Sequence, residues 1–168
     1  MFKRVALLAI AFAVLAEPAS AQSRWRFQRL TEPMTDQVRG VASIKAARYT
    51  LVVKCDFDGE VYVDLFDEAA ALYGLSSRPR KHEAIMQRFG NGDPISQDWR
   101  GGSGAYLLLG DVAVTSFVRS LMSSDRLALR IPETFGRPTD VTFPLAGSSA
   151  AISSVYRACG KIVPGTNG

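Results

Sequence analysis

The stretch TDVTFPLAGSSAAISSVYRAC, residues Thr139 to Cys159, is the one from which we interpret the fold. Apolar and polar residues alternate up to Leu145, which is typical of a half-buried strand, and Gly147 then leads into a segment with apolar residues at helical spacing. Four residues share one face of that predicted helix: Ile152, Val155, Tyr156 and Cys159. The pattern predicts a strand followed by a terminal helix that packs on a sheet and buries Cys159.

The chain begins with the pattern of a secretory signal. Lys3 and Arg4 precede an unbroken apolar run from Val5 to Ala16, and small residues before Gln22 supply a cleavage site that ends at Ala21. The run is shorter than the roughly 20 apolar residues that span a membrane. We therefore expect residues 1–21 to be removed and the remaining 147 residues to be periplasmic, or else extracellular, without membrane insertion after cleavage.

The composition of the mature chain fits one small domain with a mild positive charge. The whole chain carries a formal net charge of +4, and removal of the signal leaves +3. The densest basic cluster, Arg78, Arg80 and Lys81, is interrupted by Pro79 and is interpreted as a solvated loop; a weak contact with anionic envelope polymers or lipid head groups is the alternative. No motif indicates a nucleic-acid partner, and no oligomeric state is indicated.

The two cysteines, Cys55 and Cys159, are predicted to form a disulfide because an exported chain enters an oxidising compartment. In the chain-entropy model a loop of this length stabilises a fold by about 4 to 5 kcal/mol. A metal site would need more ligands than two thiols and the single remote His82 provide, and there is no C-x-x-C redox motif. We predict no cofactor, no metal site and no catalytic residues.

Alternating patterns predict the strands of the mature chain. The segment Trp25 to Leu30 alternates and predicts a half-buried strand, and Val38 to Ile44 predicts a second strand in which Gly40 would permit a bulge. In the strand that starts at Leu51, Cys55 falls on the apolar face and points inward.

Two short helices are predicted as well. Asp111 can cap the first helix, and Ser148 or Ser149 can cap the second. The buried face of the first helix comprises Val114, Phe117, Val118, Leu121 and Met122.

The complete pattern has about eight strands and two helices, and turn signals such as Asp58-Gly59 join strands into hairpins. We predict a mainly β fold, a single antiparallel β-sandwich with two short helices, of which the C-terminal one is tied to the sheet by the disulfide. Residues 22–162 would form one β-rich domain, and residues 163–168 would form a flexible tail.

Three classes of function follow from these features. The first is a non-enzymatic adaptor of the cell envelope that binds another envelope protein through an exposed apolar patch, for which Tyr62, Phe66 and Tyr73 are candidates. The second is a periplasmic binder of a small envelope ligand, such as a glycan or a lipid, in a concave pocket. The third is an enzyme that would have to use the neighbouring carboxylates; these are Asp64, Asp67 and Glu68.

Several short motifs also carry a family resemblance. In chain order they are Trp25, Met34-Thr35-Asp36, Leu51 to Cys55, Arg88 to Pro94 followed by Trp99, Leu127 to Arg130, and Phe143 to Gly147 followed by Cys159. In this order they resemble the VasI family of type VI secretion accessory proteins and its uncharacterised proteobacterial relatives. The resemblance implies a small exported envelope protein without enzymatic activity, with two cysteines in corresponding places and an accessory role in a secretion machine.

Overall fold

The computed structural model describes residues 24–56, 59–69, 81–102, 104–132 and 137–165. The strands are β1 (Arg26–Thr31), β2 (Val38–Ala46), β3 (Tyr49–Cys55), β4 (Val61–Asp67), β5 (Lys81–Phe89), β6 (Ile95–Gly102), β7 (Ala105–Leu108), β8 (Arg126–Ile131) and β9 (Thr139–Pro144). The helices are α1 (Asp111–Ser123) and α2 (Ser148–Ala158). The predicted cleavage site at Ala21 and Gln22, most of the predicted basic loop and the end of the tail lie outside the described residues.

The strands form one antiparallel sheet in the order β1-β2-β3-β4-β7-β6-β5-β8-β9. Strand β9 at one edge contacts β2, although strands seven places apart in a flat sheet would be separated by about 34 Å. The sheet is therefore strongly curled around its core. The predicted mainly β, antiparallel fold with two short helices is confirmed, and its packed strands belong to one continuous sheet.

The inner face of the curled sheet forms the core. In β3 the inward side chains Tyr49, Leu51, Val53 and Cys55 are all buried. The predicted apolar stripe of α1 packs on this core, and the ring of Phe117 makes an edge-to-face contact with the fully buried Trp99 at 5.5 Å between ring centroids. The helical and strand periodicities of the sequence thus predicted these buried faces correctly except at Met122, which is half-buried near the end of α1.

Gly40 does not form the predicted bulge. The pairing of β1 with β2 runs without interruption through Arg29 and Gly40. The glycine is required for a different reason, since a Cβ at this position would lie 2.9 Å from the Cα of Val155 in α2. The absence of a side chain allows the backbone of α2 to pack directly on β2.

Both helices begin differently from the sequence prediction. Asp111 is the first helical residue rather than the cap, and Gly110 takes the cap position. Gly147, in the left-handed conformation, takes the cap position of α2. Ser148 instead donates a hydrogen bond from Oγ to the carbonyl oxygen of Leu121 at 2.6 Å, so it joins the start of α2 to the last turns of α1.

The disulfide between Cys55 and Cys159 is present, with 6.4 Å between the two Cα atoms. Cys55 is buried at the end of β3, as predicted. Cys159 was predicted to be buried as well, but it is only half-buried because it lies immediately after the last residue of α2. Helix α2 also packs on β1, β2 and β3. The disulfide therefore ties the C-terminal helix to the N-terminal end of the sheet, as predicted.

Candidate functional site

Strand β1 is the most exposed element of the described fold. It lies at one edge of the sheet, and β2 is its only partner among the described strands. All six of its residues are exposed, including Phe27 at 38% and Leu30 at 48%. The alternating sequence predicted a half-buried strand here, and that prediction is wrong. Phe27 pairs with Ala42 on the core-facing side and Leu30 pairs with Arg39 on the outer face, so these apolar residues form no single face to bury. Within the described residues, one long side of β1 has no strand paired with it.

The hydrogen bonds of the β1–β2 hairpin identify which backbone groups face this open side. The N–H of Glu32 donates to the carbonyl oxygen of Gln37 at 2.8 Å. Hydrogen-bonded and non-hydrogen-bonded pairs alternate along an antiparallel ladder. The even-numbered residues of β1 therefore direct their backbone groups toward β2. The N–H and C=O groups of Phe27, Arg29 and Thr31 point away from the sheet.

The side chains along β1 combine positive charge with apolar surface. Arg26 lies on the outer face and Arg29 lies on the core-facing side, because Arg26 pairs with Ser43 and Arg29 pairs with Gly40. Arg24 precedes the strand and is exposed. None of these three arginines forms an ion pair within the described ranges of the chain. Their charge is consequently available to a molecule that approaches the edge.

The core and the disulfide-linked part of the sheet support this edge. Trp25, immediately before β1, packs against the core. The N–H of Gly40, opposite Arg29, donates a hydrogen bond to Sγ of Cys55 at 3.2 Å. The same sulfur carries the disulfide that fixes α2. Strand β1 therefore packs against α2, which the disulfide links to β3.

The apolar candidates chosen from the sequence do not form one patch. Phe66 is 39% exposed and Tyr62 is half-buried, and both lie on the outer face of β4. Asp64 lies between them on that face and forms an ion pair with Lys54 at 2.6 Å. Tyr73 lies outside the described residues. The outward face of β4 is thus divided by a charged pair.

Each predicted carboxylate has a cationic partner. Asp67 forms an ion pair with Arg48 at 3.3 Å, and Glu68 forms one with Lys45 at 2.5 Å. The hydrogen bond from Lys45 is the main cause that lowers the pKa of Glu68 below its ordinary value. Asp64 and Asp67 lie on opposite faces of β4. This cluster does not direct two carboxylates at one reacting centre.

The single histidine is also engaged. His82 on β5 lies 2.6 Å from Asp98 on β6, measured between Nδ1 and Oδ2, and both side chains are exposed on the outer face. Sequence spacing could not predict this contact because it depends on the register of two strands, in which Ala84 is opposite Asp98.

A second candidate site, with a carboxylate close to an unpaired indole N–H, lies on the inner face where β5, β6 and β7 meet. Glu83 is directly opposite Trp99, and a Cβ added to Gly101 would lie 3.1 Å from Cδ of Glu83 and 3.2 Å from Cδ1 of Tyr106. The buried Nε1 of Trp99 has no hydrogen-bond partner in the described structure. A half-buried carboxylate and an unpaired indole N–H therefore lie on neighbouring strands.

Within the described residues, no group of three or more His, Cys, Asp or Glu side chains is placed to hold a metal ion. In the same part of the chain, no helix combines the length and apolar character needed to cross a bilayer.

A scan of protein-family models found no match to the chain, and searches of curated proteins and of solved structures found none either.

Proposed function

We propose that this chain is an exported, non-enzymatic accessory protein of the cell envelope, which acts as an adaptor by binding another envelope protein along strand β1. The observation that carries the proposal is that every residue of β1 is exposed although the strand packs on β2 and α2. An exposed sheet edge can accept an added strand from a partner through main-chain hydrogen bonds. The resemblance to VasI-like accessory proteins of secretion machines supports the same role.

Export is supported by two features of the chain. The apolar run from Val5 to Ala16 follows two basic residues, and the Cys55–Cys159 disulfide is compatible with an oxidising compartment. The full-length gene can be expressed in a Gram-negative host and the intact mass of the product measured in each cell fraction. We expect a periplasmic product that starts at Gln22; a full-length product confined to the cytoplasm would contradict export.

The non-enzymatic part of the proposal is supported by how the charged side chains are used. Asp64, Asp67 and Glu68 each form an ion pair with a neighbour, and Nδ1 of His82 lies within hydrogen-bond distance of Asp98. The three carboxylates each face a cation rather than one another, whereas acid–base catalysis needs groups that are directed at one reacting centre.

The adaptor role can be tested by site-specific photo-crosslinking in intact cells. A photoreactive phenylalanine analogue would replace Phe27 on β1 or, as a control of matched exposure, Met86 on β5; the natural side chains are 38% and 42% exposed. We expect irradiation to yield an adduct with a defined envelope protein from position 27 and not from position 86. The proposal fails if position 27 gives no adduct, or gives adducts only with proteins of another compartment.

A second candidate function, the binding of a small envelope ligand, is favoured by the junction of Glu83, Trp99 and Tyr106. A small number of placed polar groups beside aromatic side chains is what a ligand site requires. Native mass spectrometry of protein purified from the periplasm would detect a retained glycan or lipid in the wild type and its loss in Glu83→Gln. A wild-type mass equal to that of the polypeptide alone would count against this candidate.

A further inference from the structure

We infer that the partner contributes an extended, acidic segment, which adds to β1 as the next strand of the sheet. This inference rests on the proposed adaptor function and specifies the chemistry of its partner. It depends on two independent properties of β1, the direction of its backbone groups and the distribution of its arginines.

The backbone of β1 is arranged for strand addition along its whole length. The N–H and C=O groups of Phe27, Arg29 and Thr31 point to the open side, as the Glu32–Gln37 hydrogen bond establishes. An extended segment of about six residues can bond to these groups in either direction. A helix cannot satisfy them in this regular way, because their spacing is that of a strand.

The arginines then determine the charge of the added segment. Arg26 projects from the outer face and Arg29 from the core-facing side, so the positive charge is present on both faces of the edge. Opposite charges directly across two strands are favourable, and like charges are unfavourable. A segment with two acidic residues three positions apart would place one carboxylate opposite each arginine.

The apolar residues define the remaining contacts. Phe27 lies on the core-facing side and Leu30 on the outer face, and both are exposed. The side chains of an added strand would cover Phe27 on one face and Leu30 on the other, and apolar or β-branched residues are suited to both positions. The preferred segment is therefore mixed, acidic at two positions and apolar beside them.

A second copy of this chain is a poorer occupant of the same edge. Pairing of two β1 strands would bring four arginines, Arg26 and Arg29 from each chain, into one interface. Charged side chains on an edge strand discourage such pairing between identical copies. The same charge that disfavours self-association favours an acidic strand.

The test uses peptides of defined sequence with the full mature protein. The main probe is a fluorescein-labelled nonapeptide of threonine and valine that carries two glutamates three positions apart. One control has lysine in place of both glutamates. A second control keeps the glutamates but carries N-methyl groups on alternate backbone amides, which blocks donation to β1. Fluorescence anisotropy measures the affinity of each peptide.

We expect the glutamate peptide to bind and the lysine peptide to bind at least about tenfold more weakly, because two favourable charge pairs become two unfavourable ones. The N-methylated peptide should not bind, and added salt should lower the affinity of the glutamate peptide. The variant Arg26→Glu/Arg29→Glu should reverse the preference and select the lysine peptide. The matched control Arg88→Glu/Arg119→Glu changes the net charge equally at exposed positions outside β1 and should retain the original preference.

Equal affinities for the two charged peptides, no binding of either, or no reversal in the β1 variant would overturn the inference. Retained binding of the N-methylated peptide would overturn strand addition specifically. These failures are distinguishable from failure of the adaptor role, because photo-crosslinking at position 27 would still identify an envelope partner that binds β1 in another way.

Discussion

Gly40 of β2 lies directly beneath Val155 of α2, where a Cβ on the glycine would be 2.9 Å from the Cα and 3.0 Å from the carbonyl oxygen of Val155. Both of these atoms belong to the helix backbone, so no side-chain rotation can relieve the contact. The same glycine donates its N–H to Sγ of Cys55. One position without a side chain thus brings together β2, α2 and the disulfide.

We predict that Gly40→Ala destabilises the protein by about 1 to 3 kcal/mol, because the added methyl group forces α2 away from β2. Urea unfolding followed by circular dichroism would measure the loss. Ser43→Ala is the matched control in the same strand, since Ser43 lies on the other face, and it should change the free energy of unfolding by less than about 0.5 kcal/mol. Equal stability of Gly40→Ala and the wild type would contradict the close packing.

The disulfide should contribute strongly to stability. The two cysteines are separated by 104 positions in the chain, and closing a loop of that size removes about 4 to 5 kcal/mol of conformational entropy from the unfolded chain in the entropic model. We expect Cys55→Ala/Cys159→Ala to lose a large part of this free energy in urea unfolding. Wild-type protein should show no reactive thiol in denaturant until a reductant is added. A double variant as stable as the wild type would show that α2 needs no covalent tie.

Ser148 is expected to stabilise the contact between the two helices. Its buried Oγ donates to the carbonyl oxygen of Leu121, and removal of the hydroxyl leaves that carbonyl without this bond. Ser148→Ala should cost about 1 to 3 kcal/mol in the free energy of unfolding. The neighbouring Ser149 is exposed, so Ser149→Ala should have little effect; a larger loss from Ser149 would instead favour the capping role predicted from the sequence.

Local periodicity explains why much of the fold was predictable. The buried faces of α1 and α2 and the inward residues of β3 follow from spacings of 3.6 and 2 residues, which are properties of neighbouring positions. The disulfide followed from the expected compartment and the number of cysteines. The start of each helix was not predicted, because Asp111 and Ser148 have suitable side chains while the adjacent glycines supply the required backbone.

The candidate site was harder to predict because it depends on strand order. The alternation from Trp25 to Leu30 is the same whether a strand is central or at an edge, and only the complete order places β1 outermost. Pairing of β4 with β7, rather than with the next strand in the chain, likewise joins distant segments. The sequence signal that remains is composition, since two of the six residues of β1 are arginines, each followed by an apolar residue.

Two tyrosines should make stability fall at alkaline pH. Burial raises the pKa of both Tyr49 and Tyr156 above the ordinary value of 10.0. Above about pH 10 the unfolded chain loses phenolic protons that the folded chain retains, so the free energy of unfolding decreases as the pH rises toward the raised pKa values. Urea midpoints measured from about pH 8 to about pH 11 should decline less steeply in Tyr49→Phe/Tyr156→Phe than in the wild type. Equal slopes would contradict this source of the pH dependence.

Gln87 provides a prediction of increased stability. Its side chain is only 4% exposed on the inner face of β5, directly opposite Leu129, and its Oε1 has no hydrogen-bond partner among the described residues. An unsatisfied buried polar atom costs about 1 to 3 kcal/mol. Gln87→Met keeps an unbranched side chain of similar size without the amide, so we expect the free energy of unfolding to rise by about 1 kcal/mol or more.

The control for this prediction is Gln97→Met. Gln97 on β6 is half-buried, and its amide donates to the carbonyl oxygen of Asp98 at 3.4 Å. Its replacement should change the free energy of unfolding by less than about 0.5 kcal/mol. If Gln87→Met instead destabilises the protein, the unpaired amide oxygen is not the dominant cost at this position, and the prediction is contradicted.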